Sequence, residues 1–274
     1  MQRPAGSRSR STNRRVSIPK GQAALDRAFD EKSLLLVYQP IHDARTTAIV
    51  AVEALVRQRR ESGEVREASI ITDAAEHGPD LFVFDWVTTQ MAFRDAAQWQ
   101  KQFNIRVNVN LSAREFQEGD VVSRLTELVT QFGVDPHKIN LEITETSYIK
   151  DPEETMHVLQ ELKKLGIGLW LDDFGTGHST MEHMLFLPAD VLKIPETFVK
   201  GLPGEPRSRA ITHALIALAH DLEMRVTAEG VENEAQLEFL RAENCDHIQG
   251  FFFSRPVTVE KLQAVFSSFP SSGQ

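Results

Sequence analysis

A chain of 274 residues with 41% hydrophobic content is long enough to bury a sizeable core, as one large domain or two small ones. The formal charge of −9 is unevenly spread: residues 1–20 hold six basic side chains (Arg3, Arg8, Arg10, Arg14, Arg15, Lys20) and no acidic one, so the remainder carries −15, which excludes a general surface for a DNA or RNA duplex. The single cysteine, Cys245, excludes an intramolecular disulfide framework and a thiolate-rich zinc site, and no run approaches the ~18 apolar residues of a membrane span.

In chain order, residues 1–20 read as a disordered basic tail or linker, and residues 21–270 as one barrel domain. The N-terminus is rich in Arg and Ser and lacks the apolar core of a secretory signal, so the chain is expected to be soluble and cytoplasmic. From Gly21 onward, apolar runs of strand length alternate with longer segments of helical period. The predicted strands are Leu34 to Ile41, Ile49 to Leu55, Arg106 to Leu111, Ile139 to Thr144, Gly168 to Phe174, Val191 to Ile194, Arg225 to Gly230 and His247 to Phe252. Eight strands alternating with helices predict a modified TIM (β/α)8 barrel of the α/β class. About seven residues separate the first two strands, too few for a helical crossover, so one strand should run antiparallel to its neighbour.

Between the strands, DPEETMHVLQELKKLG shows helix start and stop chemistry: Asp151 as cap, Pro152 at the first helical position, Glu153 and Glu154 at the positive end of the dipole, Lys163 and Lys164 at the negative end, and Gly166 at the exit. Met156, Leu159, Leu162 and Leu165 form its apolar stripe. A second helix starts at Asn233. The segment from Pro79 to Phe103 reads as one long helix or two, with Phe82, Trp86, Met91, Phe93 and Trp99 in the core. Cys245 reads as a small buried residue near the end of a helix.

In a βα barrel the active site lies at the C-terminal ends of the strands. Here those ends carry Glu53, Asn110, Glu142, Asp172 with Asp173, Lys193, Glu229 and Gln249. Five carboxylates converging on one mouth would repel one another by several kcal/mol without cations. An all-oxygen set without His or Cys suits hard ions, Mg²⁺ or Mn²⁺, over zinc or copper. Adjacent aspartates serve two ions only if the strand has ended, and Gly175, Thr176 and Gly177 supply the turn. Two ions would polarise a phosphate and lower the pKa of a water, with Lys193 orienting that water or neutralising charge. Glu145 would support the glycine turn, and His178, with no second His nearby, reads as a loop residue.

At these residues the chain resembles the EAL-domain family of cyclic di-GMP phosphodiesterases, over residues 21–265. The Glu-Ala-Leu signature stands at Glu53 to Leu55, followed by Arg57; Gln39-Pro40, Asn110-Leu-Ser112, Glu142-x-Thr-Glu145, DDFGTG from Asp172 to Gly177, Lys193, AEGVE from Ala228 to Glu232 and QGFFFSRP from Gln249 to Pro256 follow the family's order. The resemblance implies hydrolysis of cyclic di-GMP to linear pGpG, with two metal ions held by Glu53, Asn110, Glu142, Asp172, Asp173 and Glu229. It implies catalytic roles for Glu53, Lys193, Glu229 and Glu145, and substrate contacts from Gln39, Leu55, Arg57, Gln249 and Pro256. It further implies a homodimer and a sensory domain upstream. The chain departs from the family pattern at Pro195, followed by Glu196, where an Asp is usual two residues after the lysine. It departs again at Ile71 to Asp73 and in the apolar segment Met184 to Leu187. The rival readings are an EAL domain that serves as a cyclic di-GMP receptor or interaction module, and an enolase-like barrel using Lys193 as a base.

Overall fold

The computed structural model describes residues 34–59, 62, 64–67, 80–112, 120–144, 152–175, 184 and 186–269. The basic segment 1–20, the segment Ile71 to Asp73 and residues Glu145, Asp151, Thr176, Gly177 and His178 lie outside them. The chain opens with a hairpin, β1 (Leu34–Asp43) against β2 (Ile49–Arg59). Asp43 sets its turn, because Oδ1 accepts from the backbone of Arg45 (3.0 Å) and Thr46 (2.7 Å) and from the Thr46 hydroxyl (2.8 Å). A short β3 (Val65–Glu67) pairs with the far end of β2.

Then come α1 (Asp80–Trp99), β4 (Arg106–Leu111), α2 (Val121–Phe132), a 3-10 turn (Pro136–Lys138), β5 (Ile139–Thr144), α3 (Pro152–Lys164), β6 (Gly168–Asp172) and β7 (Val191–Ile194). The chain continues through α4 (Glu196–Val199), α5 (Pro206–Asp221), β8 (Arg225–Ala228), α6 (Glu234–Ala242), β9 (His247–Ile248), β10 (Val257–Thr258) and α7 (Val259–Ser268).

Strands β2, β4, β5, β6, β7, β8 and β9 run parallel, and β1 closes the barrel between β9 and β2, antiparallel to both. The predicted modified TIM barrel is therefore present, with the reversed strand antiparallel to two neighbours instead of one. The reversal follows from the tight hairpin. Three predicted strands are shorter than expected, since β6 stops at Asp172, β8 at Ala228 and β9 at Ile248, while β2 runs on to Arg59 as its outer half pairs with β1 and β3.

Alternation along each strand separates two interiors. On β5, Ile139, Leu141 and Ile143 belong to the main core with Leu159 and Leu162 of α3, both fully buried. Each such leucine contributes about 1.5–3 kcal/mol of hydrophobic stabilisation. Facing the lumen instead, Ile41, Ala51, Trp170 and Val191 form a separate buried cluster, the barrel floor. Of the α1 aromatics, Phe93 and Trp99 are buried, and Tyr38 packs edge-on against Trp99 at 4.3 Å. Cys245 is buried after α6, as expected.

Local capping follows the sequence. Helix α3 carries Glu153 and Glu154 in its first turn and Lys163 and Lys164 in its last, and exits through Gly166 at φ +91°. Helix α6 begins in a reciprocal box: Asn233 Oδ1 accepts from Gln236 N (3.0 Å), and Gln236 Oε1 accepts from Asn233 N (3.2 Å). Among the described residues no helix is long and apolar enough to cross a membrane.

Candidate functional site

Strand β7 is four residues long and wholly buried, so its one polar side chain, Lys193, has to find its partners inside the barrel. Its ammonium lies 2.6 Å from Glu229 Oε1, 2.7 Å from Glu142 Oε2, 3.0 Å from Asp172 Oδ1 and 3.8 Å from Glu53 Oε2. Burial alone would lower the lysine pKa, but Glu142, Glu229, Glu53 and Asp172 overwhelm that penalty and hold it well above the ordinary value. Lys193 is therefore the fixed positive charge of the lumen.

The carboxylates are held by amides as well. Glu53 accepts from Gln249 Nε2 at 2.7 Å and from Asn110 Nδ2 at 3.1 Å. Gln249 Nε2 also lies 3.3 Å from Gln39 Oε1, and Gln39 Nε2 donates to the Ser254 carbonyl. Burial raises the Glu53 pKa, but Lys193 and these amide donors outweigh it and bring it below the usual carboxylate value. The neighbouring groups shift the other way. Burial and the Glu53 charge push Glu142 well up, and burial, with Asp172 and Glu53 adding and Lys193 opposing, lifts Glu229 to about 7.

The Asp pair resolves as the sequence required. Strand β6 ends at Asp172, and Asp173 takes φ +53° ahead of Gly175 at φ +86°, so both side chains turn to the same side. A left-handed backbone costs a residue with a Cβ about 1–2 kcal/mol, and aspartate is among the few that adopt it. Asp172, Asp173 and Glu229 each offer an oxygen within 4.8 Å of the others. Burial and Asp172 raise the Asp173 pKa.

The donor set fits hard divalent cations. It is made of carboxylate and amide oxygens, and the five carboxylates against one ammonium leave four formal negative charges, the charge of two such ions.

A cavity of about 290 Å³ is lined by Gln39, Glu53, Leu55, Asp172, Asp173, Lys193, Glu196, Glu229, Gly230, Glu232, Gln249, Gly250 and Phe251, with Asn110 and Glu142 outside that lining. Glu53, Glu142 and Lys193 sit within their strands and not at the last residue, while Asn110 is one residue short of the end of β4 and Gln249 lies just past β9. In a tilted barrel the level of a side chain is set by register, not by where its own strand stops. Arg57 stands farther out on β2, where Nη1 donates to the Val56 carbonyl, and neither it nor Pro256 is among the described lining residues.

Sequence reasoning assigned no role to Glu196, Glu232 or Phe251. The signal for Phe251 was its place two residues after Gln249, and the Arg255 guanidinium covers its ring at 4.2 Å. Pro195 occupies the cap position between β7 and α4, after the last paired residue, Ile194, so its missing N–H removes no bond from the β7 ladder.

At the exits of β8 and β9 the backbones touch. Val231 N donates to the Gln249 carbonyl (3.0 Å), Phe252 N to the Val231 carbonyl (3.0 Å), and a Cβ at Gly250 would overlap Val231 backbone atoms. Glycine there is a requirement of close approach.

A family model described as "EAL domain" matches residues 22–256. The chain is 36% identical over 250 residues to the oxygen sensor protein DosP of Escherichia coli, covering 90% of this chain and 31% of that protein. It is 33% identical over 248 residues to the cyclic di-GMP phosphodiesterase NbdA of Pseudomonas aeruginosa, covering 89% and 32%. The chain thus spans about a third of the length of these curated relatives. Among solved structures, the MucR phosphodiesterase of Pseudomonas aeruginosa in complex with c-di-GMP superposes with a TM-score of 0.82 at 31% identity, covering 88% of this chain and 98% of that one.

Proposed function

The chain belongs to the EAL-domain family, and on that premise we propose that it is a metal-dependent phosphodiesterase that hydrolyses cyclic di-GMP to linear pGpG. The observation that carries this reading is the Lys193 ammonium placed among four carboxylates beside the Asp172, Asp173 and Glu229 oxygens. The phosphodiesterases among its relatives support it. Their greater length supports a sensory domain outside this chain, and a homodimer is the expected assembly of the family.

Glu53, Asn110, Glu142, Asp172, Asp173 and Glu229 would hold two Mg²⁺ or Mn²⁺ ions, which when bound supply a water of lowered pKa and neutralise the phosphate. The chain's own residues do the rest. Lys193 keeps the carboxylates converged and presents a proton-bearing cation to the attacking water or the phosphoryl oxygens. Gln249 and Asn110 hold Glu53 in one rotamer by their amide bonds. Gln39 and Leu55 border the cavity where the substrate would lie, and Arg57 and Pro256, outside its described lining, would contact outlying parts of the substrate. Glu145 would brace the turn that follows Asp173.

Incubation with cyclic di-GMP and Mg²⁺ or Mn²⁺, with chromatographic detection of pGpG, tests the proposal. Glu53→Ala should abolish product. Wild-type protein that binds cyclic di-GMP but yields no pGpG over hours at micromolar enzyme would make it a receptor instead.

A further inference from the structure

Below the metal-facing residues, β4 and β5 carry a second buried polar layer. Asn108 and Asn140 stand opposite each other in the β4/β5 register, and Asn140 stands opposite Gly168 on β6. The two side chains are 0% and 1% exposed. Asn140 Nδ2 donates to Asn108 Oδ1 at 2.7 Å, and Asn108 Nδ2 donates to Glu142 Oε1 at 2.7 Å. The other oxygen of Glu142 meets Lys193. A Cβ at residue 168 would overlap Asn140 Oδ1, so glycine makes the room this amide needs.

The chemistry of the groups fixes the direction of the chain. With Lys193 donating to its other oxygen, Glu142 Oε1 accepts the amino end of Asn108, which turns the Asn108 oxygen toward Asn140 and requires the amino end of Asn140 in turn. That order leaves Asn140 Oδ1 with no partner among the described residues. Two buried amides with one orphaned oxygen are a poor way to fill a barrel, and leucines of similar volume would avoid the desolvation. The arrangement satisfies Glu142 at the cost of Asn140.

We propose that Asn108, locked against rotation by Asn140, is a positioning residue for Glu142: it occupies Oε1 and so leaves Oε2, the oxygen that meets Lys193, as the one available to a cation. This rests on reading Glu142 as a metal ligand. Its test therefore uses no nucleotide. Metal-free protein is titrated with MnCl₂ by calorimetry, because loss of a bond that orients a ligand typically weakens metal affinity about ten- to a hundredfold.

Asn108→Leu should bind Mn²⁺ that much more weakly, Asn140→Leu should show a smaller loss, and Asn108→Ser, which keeps a hydroxyl donor, should fall between Asn108→Leu and wild type. Trp170→Phe on the floor serves as the control for general destabilisation. An Mn²⁺ affinity in Asn108→Leu within twofold of wild type overturns the proposal, as does an equal loss in Trp170→Phe. Should Asn108→Leu not fold, Asn108→Ser and Asn140→Leu are held to the same comparison. Failure of the wild type to form pGpG ends the hydrolase reading without touching the role of Asn108, which the Mn²⁺ affinities decide by themselves.

Discussion

Two residues back along the lumen-facing strands, the chemistry of the barrel inverts: Glu53 gives way to Ala51, Asp172 to Trp170, Lys193 to Val191 and Glu229 to Thr227. One strand period, about 7 Å, therefore separates a charged mouth from a floor of apolar and neutral groups. The same backbone ladders hold both layers, so the floor can close the barrel and fix the height of the mouth without sharing its charge. Apart from the Asn108 amide, which reaches up to Glu142, stability and chemistry are stacked, not mixed.

The largest effect should come from breaking the mouth. Lys193→Met strips the ammonium from four carboxylates, and removing one partner of a buried ion pair costs about 3–5 kcal/mol; urea unfolding of metal-free protein at pH 7.5 should show that loss, and pGpG formation should disappear with it. Breaking the floor should separate the two properties. Trp170→Ala removes a nearly fully buried ring, and such a truncation costs about 3–5 kcal/mol. Residual folded protein should still bind Mn²⁺ with near wild-type affinity, and a collapse of that affinity would show that the apolar floor is coupled to the mouth.

His247 sharpens the contrast, since it is the titratable group of the lower layer, stacked on Trp170 at 5.9 Å. Burial brings its pKa down to about 4 from 6.5, with Asp246 and Asp43 opposing and Arg225 and Arg106 adding to the shift. The unfolded chain therefore binds this proton first as pH falls, and stability should decline between pH 6.5 and 4, by up to about 3 kcal/mol. Replacing His247 by Gln should flatten that part of a pH-dependent denaturation series while leaving stability above pH 7 little changed.

Taken per cation site, the smallest expected effect is reversible. Chelation with EDTA should lower the melting temperature, and Mn²⁺ at a hundred times its dissociation constant should restore about 2.7 kcal/mol per site. The Lys193→Met protein should not recover in this way. Recovery there would mean that cations replace the lysine as counter-charge instead of joining it.

Much of this architecture was legible from local pattern. The β4, β5 and β7 ranges match the sequence reading residue for residue, because short apolar runs bounded by turns leave little choice of ends. Asn233 announces the start of α6. The ligand-type residues were also legible, and their convergence follows once the barrel closes.

What stayed hidden depends on partners distant in the chain. The outer half of β2 owes its existence to β1 and β3, and β10 to a pairing with Val37 and Tyr38. Asn108 and Asn140 alternate with apolar neighbours in the way that lumen residues must, yet that they bond to each other is a fact of register between strands some thirty residues apart. Glu196 reaches the cavity only because Gly230 has no side chain to exclude it.

Gly250 sets a limit on how this barrel can be remodelled. With the β8 and β9 exits fastened by the Val231 and Phe252 amides and no room for a single methyl between them, Glu229 and Gln249 sit on one backbone unit. Directed evolution for altered specificity should find its freedom in the side chains that rim the cavity, Phe251 and Glu232 among them, and meet a wall at position 250, where even alanine would pry the two exits apart.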